Sequence, residues 1–412
     1  MLGPGLITGA SDDDPSGIGT YSQAGARFGY DTLWTMLATY PLMSAVQLIS
    51  AAIGRVTGRG IAGNMRNHVA APLMYTSITL MLIANMVNIG ADIAAMGAAT
   101  QLLVGGPALL YATILAAGSL LLQVFISYNK YVKILKWLTL ALFAYVGSVF
   151  AVTISWSQAF KGLFVPTISF NSEFVTTLAA IFGTTISPYL FFWQASQEVE
   201  EVKTKKEDKP LVKAPDQANA QLQRIDVDTF IGMAASNLIA IFIILTTAAT
   251  LHASGKTEIG SAAQTAEALR PIAGQFAFLL FSLGIIGTGL LALPVLAGSA
   301  AYGVGEALKW RTGLEARPHR AKKFYWLLAA IMVAGLSLNL IRLDPIKALF
   351  WSAVINGVVC PPIMVSMMLI ARNSEVMKQF VISNRLAVMG WLATAVMTVI
   401  SIASIVTALA GK

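Results

Sequence analysis

The heptapeptide Ser11-Asp12-Asp13-Asp14-Pro15-Ser16-Gly17 sits inside the first long apolar run of the chain. A carboxylate at the centre of a membrane helix costs about 2.5–3.5 kcal/mol on insertion scales. Three in succession are more than a purely structural segment keeps. Ionisable side chains at membrane depth mark ion or substrate pathways. Pro15 removes a backbone donor and Gly17 relaxes the chain, so a helix entering this stretch is expected to break at the acids. The carbonyls freed by a break are tolerated there only where they line a cavity or a binding site.

Composition supports the membrane reading. Of 412 residues, 56% are hydrophobic and 12% charged, against roughly a quarter charged in an average soluble chain. The single cysteine, Cys360, lies in an apolar run; it has no partner for an internal disulfide and is expected to act as a small packing residue. The first apolar run lacks a basic leader and is interrupted by acids, so it is expected to be retained rather than cleaved. Because the chain opens almost within that run, a short cytoplasmic tail is expected upstream.

Eleven apolar stretches long enough to span a bilayer follow one another. The first is 2–28, broken near 12–17, followed by about 31–54, 71–103, 107–127 and 131–155. The sixth, about 174–202, is interrupted at Ser187-Pro188. The remainder are about 227–252, 274–307, 324–341, 345–371 and 385–409. With the N-terminus in the cytoplasm, 21 of the 28 basic residues fall in loops on that side. They include Arg55, Arg59 and Arg66, the lysines of 203–213, and the cluster from Lys309 to Lys323. This is the positive-inside bias. It accounts for the net charge of +8 by topology, so no nucleic-acid partner is expected.

The two interrupted stretches lie five spans apart, an odd number, so the second unit is inverted relative to the first. Paired broken helices point to the midplane site of an inverted-repeat secondary transporter. The expected organisation is a first repeat over 1–155, an external loop over 156–173, a second repeat over 174–371 and an eleventh helix over 385–409. The polar stretch from Glu198 to Asp228 reads as solvated, with a cytoplasmic linker at about 203–225. Its acids Glu198, Glu200 and Glu201 suit a charged helix end better than a cation site. Carboxylates with carbonyl and hydroxyl oxygens suit hard cations, and three aspartates at the first break would repel a carboxylate substrate. His68, His252 and His319 show no metal-ligand spacing. No Walker sequence, nucleophile elbow or dinucleotide fingerprint is present, which argues against a pump or an enzyme. Gly284, Gly287, Gly289 and Gly298 are expected to allow close helix packing.

Gly3-Pro4-Gly5, Asp14-Pro15, and the run Gln23-Ala24-Gly25-Ala26-Arg27-Phe28-Gly29-Tyr30 with Leu33-Trp34 resemble the first helix and its exit in the Nramp family (natural resistance-associated macrophage proteins). The resemblance extends over essentially the whole chain. It implies divalent metal transport and an all-α integral membrane protein of the leucine-transporter type, with a 5+5 inverted repeat plus an eleventh transmembrane helix. Family members that carry manganese and iron read Asp-Pro-Gly-Asn in helix 1, where this chain has Ser16 and Gly17 in the last two places. In helix 6 they read Ala-x-x-Met-Pro-His, where this chain has Thr184-Thr185-Ile186-Ser187-Pro188-Tyr189. Ser187 in place of methionine removes the soft thioether that favours transition metals. The helix-6 histidines of the family fall on Tyr189 and Gln194. Of the third-helix acid pair only Asp92 is kept, Ala95 standing three residues later, and no arginine lies within the ninth span.

These departures look like the Nramp-related magnesium transporter branch. The resemblance implies Asp14 as the metal ligand, with backbone carbonyls at Ser11 and Thr184. Gly17 would give room for a partly hydrated ion, and Ser187 would reach it through water or else cap its helix. Asp12, Asp13 and Asn356 are further candidates, with interhelical hydrogen bonding the rival role for Asn356. Asp92 is either a remnant of the proton route or a buried partner to a helix end. The expected activity is uncoupled import of Mg²⁺, and Mn²⁺ with it, across a bacterial plasma membrane by alternating access. The rivals are a proton-coupled Mn²⁺/Fe²⁺ transporter and a sodium-coupled organic-solute carrier of the same fold. No cofactor is expected; the partners are the divalent ion and the lipid bilayer, and a monomer suffices.

Overall fold

The first apolar run folds as two half-helices, α1 (Pro4–Asp12) and α2 (Pro15–Phe28). The computed structural model describes residues 4–126, 142–205, 207–316, 318–341 and 344–410, and no strand occurs among the described residues. Pro15 occupies the first turn of α2, where a missing N–H leaves no hydrogen bond unmade. The sixth run breaks the same way, into α9 (Ser172–Thr185) and α10 (Pro188–Thr204), with Pro188 opening the second half.

Between the breaks lie α3 (Trp34–Thr57), α4 (Ile61–His68), α5 (Ala71–Val104), α6 (Ala108–Phe125), α7 (Phe143–Val149) and α8 (Trp156–Phe164). After them come α11 (Ala218–Thr247), α12 (Ala277–Ala307), α13 (Lys322–Leu338), α14 (Pro345–Ala371) and α15 (Asn384–Ala410). Among the described residues, eight helical segments are long and apolar enough to cross a membrane. The broken first run and the 17-residue α13 fall short of that length. Residues 131–141 of the fifth stretch lie outside the described residues, as do Lys130, Lys133 and Lys136; α7 lies in its described part.

The half-helices form the centre. α1 packs on α11, α2 on α11 and α14, α9 on α14, and α10 on α3 and α12. In the α9–α10 run 83% of the most apolar window is buried, against 22% in α6 and 28% in α15, so the last two present most of their apolar surface outward, as lipid-facing helices do. α15 also has an internal task. Pro361 cannot donate to the Gly357 carbonyl one turn back, and Ser401 of α15 donates to that oxygen at 2.8 Å.

The polar stretch from Glu198 to Asp228 differs from expectation. Glutamate, lysine, glutamine and alanine are good helix formers, so α10 runs to Thr204 and α11 begins at Ala218. The linker shrinks from about 203–225 to the residues between those helices. It is docked rather than loose: the Leu211 and Val212 amides donate to the Arg55 and Val56 carbonyls at 3.2 Å. The fully buried Arg55 pairs with Asp208 at 2.9 Å. The acids of α10 are paired with cations, Glu198 with Arg224 at 2.6 Å, Glu201 with Arg224 at 3.3 Å and Glu200 with Lys203 at 3.6 Å. α8 interrupts the expected external loop.

α1 is held at three points. The Gly5 amide donates to Asp228 at 2.6 Å, Thr8 donates to Gln194 of α10, and Gly9 lies against the Gly232 backbone. A Cβ on Gly9 would stand 2.8 Å from the Gly232 Cα. A Gly9→Leu chain should therefore lose about 1–3 kcal/mol through overpacking. It should melt measurably below the parent in detergent; an unchanged melting temperature would show that α1 does not rest on α11.

Candidate functional site

Asp14 is the capping residue of α2. Its Oδ1 accepts from the Gly17 amide at 2.8 Å and from the Ser16 hydroxyl at 2.6 Å. A side-chain acceptor over the first turn satisfies amides that a helix start leaves unpaired, and negative charge is favoured there. Its Oδ2 accepts from Asn88 Nδ2 of α5 at 2.9 Å and from the Tyr189 hydroxyl of α10 at 3.3 Å. One buried carboxylate thus joins α2, α5 and α10. Hydroxyl contacts bring in α9: Ser16 Oγ lies 3.4 Å from Thr184 Oγ1, and the Tyr21 hydroxyl 2.9 Å from Thr185 Oγ1.

Gly17 is where the two breaks come closest. A Cβ there would stand 3.1 Å from the Asp12 carbonyl oxygen and 3.4 Å from Thr184 Oγ1. The end of α1, the start of α2 and the end of α9 therefore meet around Asp14, Ser16, Gly17 and Thr184. Helix C-termini carry partial negative charge, and unwound half-helix ends supply oxygen to cations in transporters of this architecture.

Asp12 and Asp13 turn elsewhere. Ser236 of α11 lies 2.6 Å from Asp12 Oδ2 and 3.2 Å from Asp13 Oδ1; its single proton serves one carboxylate at a time. Both acids are buried. Among the described residues no three His, Cys, Asp or Glu side chains are placed to hold a metal ion together, so the three aspartates do not form a carboxylate cage. The groups that contact Asp14 directly are all uncharged.

The other expected residues are placed as follows. Ser187 donates to the Gly183 carbonyl at 2.6 Å and the Thr184 carbonyl at 2.7 Å. Its hydroxyl caps the end of α9. The Thr184 side chain faces Ser16, with Oγ1 3.4 Å from Ser16 Oγ. The Ser11 hydroxyl donates back to Ile7 within α1. Asn356 is fully buried on α14, with neither amide atom hydrogen-bonded among the described residues; its neighbour Gly357 packs on α9. Asp92 is fully buried on α5, with neither carboxylate oxygen hydrogen-bonded among the described residues. Cys360 directs its S–H to the Ile186 carbonyl in the second break, at 3.1 Å.

Three contacts were missed in the sequence: Asn88 and Tyr189 on Asp14, and Ser236 on the other two acids. Asn88 carried a usable signal, since Asn85, Asn88 and Asp92 follow helical spacing along one face of an apolar stretch. Ser236 carried none, being one hydroxyl in a long helix.

The family described as Natural resistance-associated macrophage protein-like, Nramp, matches residues 5–407. The divalent metal cation transporter MntH of Klebsiella pneumoniae (strain 342) is 25% identical over 407 residues, which cover 96% of this chain and 91% of that protein. Among solved structures, the Eremococcus coleocola manganese transporter bound to an aromatic bis-isothiourea compound superposes with a TM-score of 0.75 at 18% identity. The match covers 98% of this chain and 85% of that one. Mhp1 in its inward-facing conformation gives 0.55 at 13% identity, covering 100% of this chain and 92% of its own. The fold is thus the leucine-transporter type. With both breaks, the capped aspartate and the match from residue 5 to 407 in agreement, the chain belongs to the Nramp family of integral membrane transporters.

Proposed function

We propose that this protein is a divalent-cation importer that carries Mg²⁺, and Mn²⁺ with it, across a bacterial plasma membrane by alternating access without proton coupling. The observation that carries this reading is the neighbourhood of Asp14. Its direct partners are two hydroxyls, a backbone amide and a side-chain amide. A single carboxylate among neutral oxygens suits Mg²⁺, which dehydrates reluctantly and keeps several waters while using one or two carboxylates. Ser187 stands where the resembling transition-metal carriers have methionine, and Tyr189 and Gln194 where they have histidines. The thioether and the imidazoles that would favour soft ions and shuttle protons are absent from those positions.

The topology belongs to the same reading. Eleven spans are arranged as 5+5 inverted repeats and one further helix, with the N-terminus and the Arg55, Lys203 and Arg224 end in the cytoplasm. A potential gives about 2.3 kcal/mol per charge per 100 mV, twice that for a divalent ion, so inward flux needs no second ion. A proton-coupled Mn²⁺ carrier is the second reading, favoured by the names of the relatives, a divalent metal cation transporter and a manganese transporter.

Proteoliposomes separate the two. Mg²⁺ should enter down its gradient with no change in lumenal pH. Mn²⁺ entry that acidifies the lumen and ignores excess Mg²⁺ would establish the proton-coupled reading instead. Asp14→Ala should reduce Mg²⁺ flux at least about 100-fold while the chain still reconstitutes; full flux in this variant would remove the site assignment. Ser187→Ala should keep flux within about threefold and lower stability by about 1 kcal/mol, the range for a lost cap, in a paired flux and thermal-melt measurement.

A further inference from the structure

Asn88 has two ends in two situations. Its amide nitrogen donates to Asp14 Oδ2 at 2.9 Å, while its carbonyl oxygen is buried without a hydrogen-bond donor among the described residues. The orientation follows from chemistry, because an ionised carboxylate only accepts, so the nitrogen must face Asp14 when nothing lies between them. A buried carbonyl left unpaired costs about 1–3 kcal/mol, and the side chain is fully buried, so it has no bulk water to offset that cost.

We propose that Asn88 is a ligand of the transported cation, supplied by α5 in place of the helix-1 amide that Gly17 removes. The proposal rests on the reading of Asp14 as the cation site. When a divalent ion takes the Asp14 Oδ2 lone pair, it repels the Asn88 N–H dipoles. A half-turn of the terminal torsion, which is soft and roughly two-fold, then directs the carbonyl to the ion. The two ends of an amide exchange places in that turn, so the oxygen arrives where the nitrogen now stands, 2.9 Å from Asp14 Oδ2. That spacing is the edge of an octahedron with metal–oxygen bonds of about 2.0–2.1 Å, the Mg²⁺ geometry. In the empty state the N–H stabilises the buried charge of Asp14, and in the loaded state the carbonyl joins the coordination shell. Either way each end of the amide has a use, which a purely structural asparagine at this position would lack.

The test uses the full chain in proteoliposomes, with Asn88→Leu, Asn88→Met and Asp14→Ala assayed for Mg²⁺, Mn²⁺ and Cd²⁺ flux. Ligation predicts that Asn88→Leu raises the half-saturating Mg²⁺ concentration about tenfold or more, with the melting temperature within a few degrees of the parent. It predicts that Asn88→Met moves the Cd²⁺-to-Mg²⁺ preference about tenfold or more toward Cd²⁺, since a thioether on the ion favours the softer metal. An asparagine that merely positions Asp14 would scale all three fluxes together and leave that ratio at the parent value, which overturns the proposal. Should Asn88→Leu fail to fold, the Asn88→Met ratio decides alone. Full Mg²⁺ flux in Asp14→Ala would mean that the site reading itself has failed. Flux that depends on Asp14 but shows an unmoved Asn88→Met ratio removes Asn88 only.

Discussion

The hydrogen bond from the Gly17 amide to Asp14 Oδ1 joins the backbone to the chemistry. It ends the unwound link after α1 and starts α2, so the carboxylate sits at the positive end of a helix dipole. The other oxygen of the same group then reaches α5 and α10 through Asn88 and Tyr189. Burying a carboxylate is expensive unless it is hydrogen-bonded, and charge-assisted bonds are the strong ones. Four donors on one carboxylate offset that cost and also hold α2, α5 and α10 in register. The group proposed to bind a cation is therefore the same group that positions the helices around it. On that proposal an ion competes with donors that the fold itself uses.

The two breaks solve one backbone problem in opposite ways. At the first, an acceptor side chain caps forward onto the amides of α2. At the second, Ser187 caps backward onto the carbonyls of α9, and Cys360 takes the Ile186 carbonyl. The first break thus presents a carboxylate to α2 and the second presents hydroxyls, with Thr184 facing Ser16 and Thr185 facing Tyr21. Both ends of the molecule are tied at the same time. At one end Arg55–Asp208, Arg224–Glu198 and the Gly5–Asp228 contact hold α1, α3, α10 and α11 together. At the other, Arg27 pairs with Glu258 and Gln23 bonds the Thr257 carbonyl. Asp14 is wholly buried between them.

Much of this was legible in the sequence, because its causes are local. Asp-Pro and Ser-Pro in apolar runs dictate breaks, and lengths of apolar sequence dictate spans, so α3, α5, α14 and α15 fall within a few residues of expectation. The polar linker was misjudged because its charges looked solvated, whereas Glu198 and Arg224 sit on different helices and pair only once those helices pack. The surroundings of the acid triplet were illegible for a similar reason. Consecutive residues at a helix end point in different directions, and Ser236 from a distant helix contacts Asp12 and Asp13. Local rules give breaks and spans; which side chains meet across helices depends on packing that no local pattern encodes.

That separation of the acids bears on transport as well as on binding. A site must hold its ion strongly enough to load and weakly enough to release. Three converging ionised carboxylates around a divalent ion would add attraction that falls off only as the inverse of distance, and release would become the slow step. With Asp12 and Asp13 turned to Ser236 and Asp14 already hydrogen-bonded, net binding is the difference between ion coordination and the donors displaced. Ser16 and Tyr189 can rotate their hydroxyls, and Asn88 can turn its amide, so each displaced donor has an acceptor end to offer in return. On the proposed reading, the exchange of donor for acceptor on the same side chains offsets part of the cost of displacing them.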